Sequence, residues 1–268
     1  MLTFRELVYG FRSLELDPGR PVMVHASLSS FGGLNGRAAV MLGALTSVFP
    51  KLMAPTHTYH TMLDPEDGPP NNGMTYGNGH ALNALAEFYT ADLPADRMMG
   101  VLPELLRQHP LAKRSSHPIL SLTGIGVDEI LAAQTLKNPL APLHDLYEAD
   151  GYVLLLGVGH SVNTTLHFAE KLAGRRTFIR WALTPDGAVE CPGFPGCSMG
   201  FDMAAVYLAD LTRCVRIGSA LVRALPVREM VITAATLIRE DPLALLCDDP
   251  ACERCGAVRE SVATQMAF

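Results

Sequence analysis

The segment GVGHSVNTTLHFAEK, Gly157 to Lys171, carries a histidine and a glutamate three residues apart, directly after a run of strand-forming residues. On a helix, positions three and four apart are neighbours, so Asn163, His167 and Glu170 fall on one face. A carboxylate beside an imidazole orients the ring and stabilises the cation that forms when it accepts a proton, which is the constitution of a general base. A helix that starts at the carboxyl end of a strand is also where α/β proteins place ligand sites. The positive end of its dipole disfavours imidazolium and keeps a nearby histidine neutral. Asn163 is expected to cap this helix, which the spacing predicts from Asn163 to Ala173. A histidine–glutamate pair at this spacing is equally what a solvated helix face shows, and on spacing alone that arrangement is the commoner one. As a metal site the pair lacks the second histidine of H-E-x-x-H, and GVG at 157–159 lacks the third glycine of a dinucleotide fingerprint.

The cysteines form the second chemically distinctive group. All six lie in the last third of the chain: Cys191, Cys197, Cys214, Cys247, Cys252 and Cys255. No export signal is legible at the N-terminus, which argues against a disulfide framework. Cys247-x4-Cys252-x2-Cys255, with Cys191-x5-Cys197 upstream, has the makings of a structural zinc site of four thiolates. The spacing outside the C-x2-C step is irregular, and unliganded thiols fit as well, so zinc is left open here.

The elements that must position these residues follow from the hydrophobic pattern. With 268 residues, 49% hydrophobic and 18% charged, the chain has the composition of a globular protein with a substantial core. Its net charge of −6 and the lack of a dense Lys/Arg run exclude nucleic acid as an expected partner, and suit a cationic ligand. No apolar run is long enough to span a membrane, and the chain reads as cytoplasmic. MLTFRELVYGFRSLEL reads as an amphipathic helix. Strands are expected at Val22–Val24, at KLMAPTHTY up to Pro55, after the polar turn in AKRSSHPILSLTGIG, and in GYVLLLGVG. RAAVMLGALTSVF, GVLPELLRQH and VDEILAAQTL have helical spacing. Residues 62–79 are crowded with Pro, Gly, Asn and Asp and read as a long loop. RTFIRWAL and GAVECPGF read as a hairpin turning at Pro185-Asp186-Gly187. Met203–Leu225 is expected to be helical and REMVITAATLI a late strand or mixed segment. Strand alternating with helix points to an α/β class, and no linker divides the chain, which reads as one domain over 1–268 with a cysteine-bearing tail from about residue 243.

Five segments together resemble the aminoglycoside 3-N-acetyltransferase (antibiotic N-acetyltransferase) family: VMVHASLSSFG (22–32), MAPTHTY (53–59), RSSHPILSLTGIG (114–126), PLAPLHDLYEADGYVLLLGVG (139–159) and NTTLHFAE (163–170). They stand in the family's order, over about Leu7 to Leu225. This chain has Ala141-Pro142 where members often have Ser-Pro. The resemblance implies an α/β fold with a central, mostly mixed sheet flanked by helices, distinct from the GCN5-related acetyltransferases. It implies transfer of an acetyl group from acetyl-CoA to the 3-amine of a 2-deoxystreptamine aminoglycoside, with His167 and Glu170 matching the motif histidine and its glutamate.

On that footing the remaining candidates acquire roles. The turn carrying His25, Ser27, Leu28, Ser29 and Gly32 would offer backbone N–H groups to an oxyanion or to the cofactor's phosphates. Lys113 and Arg114, with Ser115 and His117 beside them, are expected partners of CoA. Asp64, Glu66 and Asp67 in the long loop, together with Asn163, are expected to meet the cationic sugar. Three other readings stay open at this point: the same transfer to a different amine, a binder of a cationic ligand without turnover, and a hydrolase on Ser27 or Ser29. The last lacks a G-x-S-x-G elbow.

Overall fold

The computed structural model describes residues 1–266. In chain order the elements are α1 (Phe4–Arg12), β1 (Val22–Ala26), α2 (Arg37–Val48), β2 (Leu52–Pro55), β3 (Met62–Leu63), α3 (His80–Asn83), α4 (Val101–Arg107), β4 (Lys113–Arg114) and β5 (Leu122–Ile125). Then follow α5 (Asp128–Ala132), α6 (Ala141–Glu148), β6 (Tyr152–Leu156), α7 (Leu166–Leu172), β7 (Phe178–Thr184), β8 (Gly187–Phe194), β9 (Arg213–Ile217), β10 (Ala220–Pro226), α8 (Val227–Glu240) and α9 (Glu253–Met266).

Seven strands form one mixed sheet in the order β4-β5-β2-β1-β6-β10-β9. β1 runs parallel to both neighbours, in register Val22 with Leu52 and Val22 with Tyr152, whereas β5 and β10 run antiparallel. The central strands VMVHA and YVLLL are apolar nearly throughout, because helices cover both faces. Successive side chains alternate between those faces. Met23, Val153 and Leu155 join a core with α6, α7 and α8, while Val22, Val24, Leu154 and Leu156 join a second core with α1, α2 and α4. This is the α/β class expected from the strand–helix pattern, with the mixed, helix-flanked sheet that the family resemblance implied.

β3, β7 and β8 make a separate antiparallel sheet, and its apolar residues share a third core with Leu246, Cys247, Cys255 and Val258 of the C-terminal tail. The amphipathic N-terminal helix is present. Thr3 and Glu6 close a capping box there, each side chain accepting from the other's backbone N–H.

Two expectations are corrected toward the C-terminus. Met203–Leu225 is two short 3-10 turns followed by the β9–β10 hairpin, which reverses at Gly218 (φ +59°) and alternates buried and less buried side chains along β10. REMVITAATLI lies within helix α8. Its β-branched residues suggest strand, but Val227, Met230, Val231, Ala234, Ala235 and Ile238 repeat with helical spacing and are the buried ones. Packing of that stripe against α6 and α7 outweighs local propensity.

Candidate active site

Helix α7 begins three residues later than expected, at Leu166. Asn163 therefore closes the preceding 3-10 turn, and its Oδ1 accepts from the Thr165 N–H at 3.2 Å. Its side chain is fully buried against His160 and Met230. His167 and Glu170 then occupy the first turn and a half of α7, and both are buried.

His167 Nδ1 lies 2.6 Å from Glu170 Oε2. Because an ionised carboxylate only accepts, Nδ1 is the donor, and in the neutral ring Nε2 is the nitrogen with the free lone pair. The second glutamate oxygen, Oε1, accepts from Arg175 Nη1 at 3.0 Å. Arg175 Nη2 in turn donates to the carbonyls of Pro242 (2.8 Å) and Ala244 (2.6 Å) at the start of the tail. Gly196 lies over the carboxylate so closely that a Cβ there would sit 3.3 Å from Oε1.

His167 lines a cleft of about 1280 Å³ that opens beside the carboxyl ends of β1 and β2. One wall is His25, Ser27, Leu28 and Ser29, where β1 ends and turns into a single 3-10 turn. Gly157, at φ +68°, ends β6 against this turn, and a side chain there would overlap Ser30 Oγ. Met98, Gly100 and Val101 continue the lining. Asp64 lies on the wall as well, and its Oδ1 is buried without a protein partner. Gly73, Thr75, Gly196, Cys197, Glu253 and Arg254 complete that region, with Thr75 Oγ1 donating to Glu253.

Two of the buried histidines on the cleft wall, His25 and His57, are held neutral. Burial, reinforced by His160, lowers His25 to about 3. Burial, with His117, His167 and His25 nearby, lowers His57 to about 3 as well. His57 Nδ1 is 3.0 Å from the Tyr59 hydroxyl.

Several expected site residues stand elsewhere. Gly32 ends the 3-10 turn at φ +77°, where a Cβ would press on Ser219 Oγ, and it is not on the cleft wall. Lys113, on a two-residue outer strand, is exposed and paired with Asp128 at 2.6 Å. Arg114 spends its guanidinium on the protein: Nη2 donates to Thr56 O (2.8 Å), Nε to Ser121 Oγ (3.0 Å) and Nη1 to the Leu93 carbonyl. Ser115 Oγ accepts from the Leu122 N–H at 2.8 Å, and His117 Nδ1 accepts from the N–H groups of Ile119 and Leu120. Arg114, Ser115 and His117 brace the β4–β5 region through internal hydrogen bonds, while Lys113 is held by its surface ion pair. Glu66 pairs with exposed His80, and Asp67 is exposed, so Asp64 alone of the three loop acids reaches the cleft.

His57, Arg180, Glu253 and Arg254 line the cleft without having been singled out. His57 follows the end of β2, so the strand-end rule that marks His167 marks it too. Arg180 is buried with Nη1 and Nη2 on the carbonyls of Asn72, Ile179 and Gly73. Nothing local flags Glu253 or Arg254, which a returning tail brings to the site.

A buried histidine–glutamate pair on a cleft beside the carboxyl ends of the central strands of a mixed α/β sheet is a constellation suited to proton transfer. A family model described as aminoglycoside 3-N-acetyltransferase matches residues 23–239, and the chain belongs to that family. The SPbeta prophage-derived aminoglycoside N(3')-acetyltransferase-like protein YokD of Bacillus subtilis (strain 168) is 33% identical over 178 residues, 63% of this chain and 64% of the relative. Aminoglycoside N(3)-acetyltransferase IV of Salmonella sp is 31% identical over 170 residues, 59% of this chain and 65% of the relative. The matched region thus spans just under two thirds of these curated relatives. Among solved structures, the aminoglycoside acetyltransferase AAC(3)-IVa apoenzyme superposes with a TM-score of 0.77 at 29% identity, covering 97% of each chain. YokD from Bacillus subtilis superposes at 0.78 and 27% identity, covering 90% of this chain and all of the other. Among the described residues, no helix is long and apolar enough to cross a membrane.

Proposed function

We propose that the protein transfers an acetyl group from acetyl-CoA directly to the 3-amine of a 2-deoxystreptamine aminoglycoside, with His167 as general base and Glu170 as its orienting carboxylate. The observation that carries this reading is the buried dyad, with Nδ1 engaged by Glu170 and the ring on the cleft wall. An aminoglycoside amine is largely protonated near neutrality, and only the free amine attacks a thioester. His167 Nε2 takes a proton from the ammonium, and the freed nitrogen lone pair forms the N–C bond at the thioester carbonyl. The C–S bond then breaks as the His167 imidazolium returns a proton to sulfur, so CoA leaves as the thiol and the nitrogen's remaining extra proton passes through His167 to solvent. Base catalysis of this kind contributes about 10²–10⁴-fold.

The first N–H groups of a helical turn lack acceptors within it, so Leu28 and Ser29 are the donors assigned to the carbonyl oxygen as charge develops. Asp64 Oδ1, buried and unpartnered on the wall, is the acceptor assigned to a substrate ammonium. The family supports the reaction, and AAC(3)-IVa, 27% identical, has been solved in complex with a gentamicin and with apramycin. The tail shares one core with the second sheet, and we read the chain as a single domain. Six free cysteines suit a reducing compartment such as the cytoplasm.

The decisive experiment mixes the protein with acetyl-CoA and a panel of aminoglycosides and follows free thiol release. Release that requires the aminoglycoside, and disappears in a folded His167→Ala variant that still binds CoA, supports the reading. Release with other amines only would move the substrate, and unchanged turnover in His167→Ala would overturn the dyad.

A further inference from the structure

Away from the acetyl-transfer dyad, Cys197, Cys247, Cys252 and Cys255 converge from two distant stretches of chain until their sulfurs all lie within 4.8 Å of one another. Four thiolates about a zinc ion at ~2.3 Å stand about 3.8 Å apart, so this cluster needs only a small contraction to become a tetrahedral set. Cys197, Cys247 and Cys255 are buried, and Cys252 is partly so. All four are free thiols, with Cys247 and Cys255 Sγ at 3.4 Å, well outside a disulfide bond. Cys191, expected from its spacing to take part, is absent from the group. It sits in the core of the second sheet, where burial pushes its thiol up to about 12.

The surroundings match what a charged tetrathiolate requires. Zinc with four thiolates carries a net charge of −2, which a buried site must offset. Arg254 Nη1 donates to Gly196 O at 2.8 Å, and Arg259 donates to the Cys247 carbonyl, so two guanidiniums are anchored on backbone at or beside ligand residues. The Met199 N–H points at Cys197 Sγ at 3.5 Å, the kind of hydrogen bond that orients a coordinating sulfur. Cys252 and Cys255 flank the start of α9 as a C-x2-C step. Three of the four sulfurs lie beyond the residues 23–239 matched by the family model.

We propose that Cys197, Cys247, Cys252 and Cys255 bind one structural zinc ion, which fastens the C-terminal tail to the 194–199 segment of the cleft wall. Four soft thiolates, three of them buried and all within a small contraction of tetrahedral spacing, select zinc over hard cations, and a closed set leaves no open position for catalysis. Binding releases the thiol protons and moves no electrons, so no oxidant is needed. The core that the tail shares with the second sheet is smaller than the two on the main sheet, and small cores are commonly completed by such a staple. Cys197 and Gly196 line the cleft, and Gly196 covers the Glu170 carboxylate. The ion therefore holds a wall of the site without touching the reaction.

The test is elemental analysis of the full-length protein purified without chelator. About one zinc per chain is expected, retained through dialysis and lost in Cys247→Ser and Cys255→Ser variants. Should those variants fail to fold, cobalt(II) exchanged into the intact protein gives a second measure, through the near-ultraviolet sulfur-to-cobalt charge-transfer band and visible bands of a tetrahedral tetrathiolate. Stripping the metal is expected to speed amide exchange in residues 194–200 and 245–258 while β1 and β6 stay protected. Protein grown with added zinc that holds less than about a tenth of an ion per chain would overturn the proposal. So would a Cys247–Cys255 disulfide found by mass spectrometry in the freshly isolated protein, zinc undiminished in folded cysteine variants, or exchange unchanged by stripping.

Discussion

His167 and Glu170 are joined at 2.6 Å through Nδ1 and Oε2, and the carboxylate's other oxygen is held by Arg175. The pair is thus fixed from behind. Arg175 anchors itself on the carbonyls of Pro242 and Ala244, so the dyad's orientation depends on where the tail begins.

Replacing the carboxylate by an amide tests the orienting role. Glu170→Gln keeps the shape but can donate to Nδ1, which favours the wrong tautomer. A fall in kcat of roughly 10²–10⁴-fold is expected, with CoA affinity nearly unchanged. Steady-state kinetics beside a CoA titration give both values.

Glu170→Ala has a second consequence. The side chains of Arg175 and Glu170 are 2% and 6% exposed, so removal of the carboxylate leaves a guanidinium buried without a counter-charge. Breaking a buried pair from one side costs about 3–5 kcal/mol. A clear drop in Tm for Glu170→Ala, larger than for Glu170→Gln, is the expected result in a thermal melt.

Asp64→Asn removes the one loop carboxylate on the cleft. Its KM for aminoglycoside is expected to rise about tenfold, a change of ~1.4 kcal/mol, while KM for acetyl-CoA stays put. Asp67→Asn, off the cleft, is the control and should change neither.

The neutral histidines predict how stability varies with pH. His25 and His57 are lowered to about 3 and His117 to about 4, chiefly by burial, against an unfolded value near 6.5. Below about pH 6.5 the unfolded chain takes up protons that the folded protein refuses. Stability is therefore full above that value and falls with acid, by about 1.4 kcal/mol per pH unit for each such histidine, down to about pH 3–4. Denaturant midpoints between about pH 4 and 8 check the slope, and a His57→Gln variant should make it shallower.

Gly157→Ala probes the turn that ends β6. The residue is at φ +68°, and a side chain there would overlap Ser30 Oγ in the turn facing the cleft. A loss of about 2 kcal/mol or more is expected from the strained backbone and the overlap, read as a lower denaturant midpoint.

What the sequence determined by itself was local and periodic. The apolar runs VMVHA and YVLLL specified central strands, because strands covered on both faces need no polar alternation. The three-residue step from His167 to Glu170 already placed those side chains on one helical face, and the motif order pointed to the family. Tertiary structure decided everything that depends on partners distant in the chain. REMVITAATLI became helix because its buried stripe meets α6 and α7. Arg114 and Ser115 of KRSSHP turned inward because Thr56, Leu93 and Leu122 offered them hydrogen-bond partners. Arg175 found Glu170, and Cys197 found Cys247, Cys252 and Cys255, only through the returning tail. The physical reason is range: backbone periodicity is written over a few residues, whereas burial and side-chain pairing are settled when separate segments share one core.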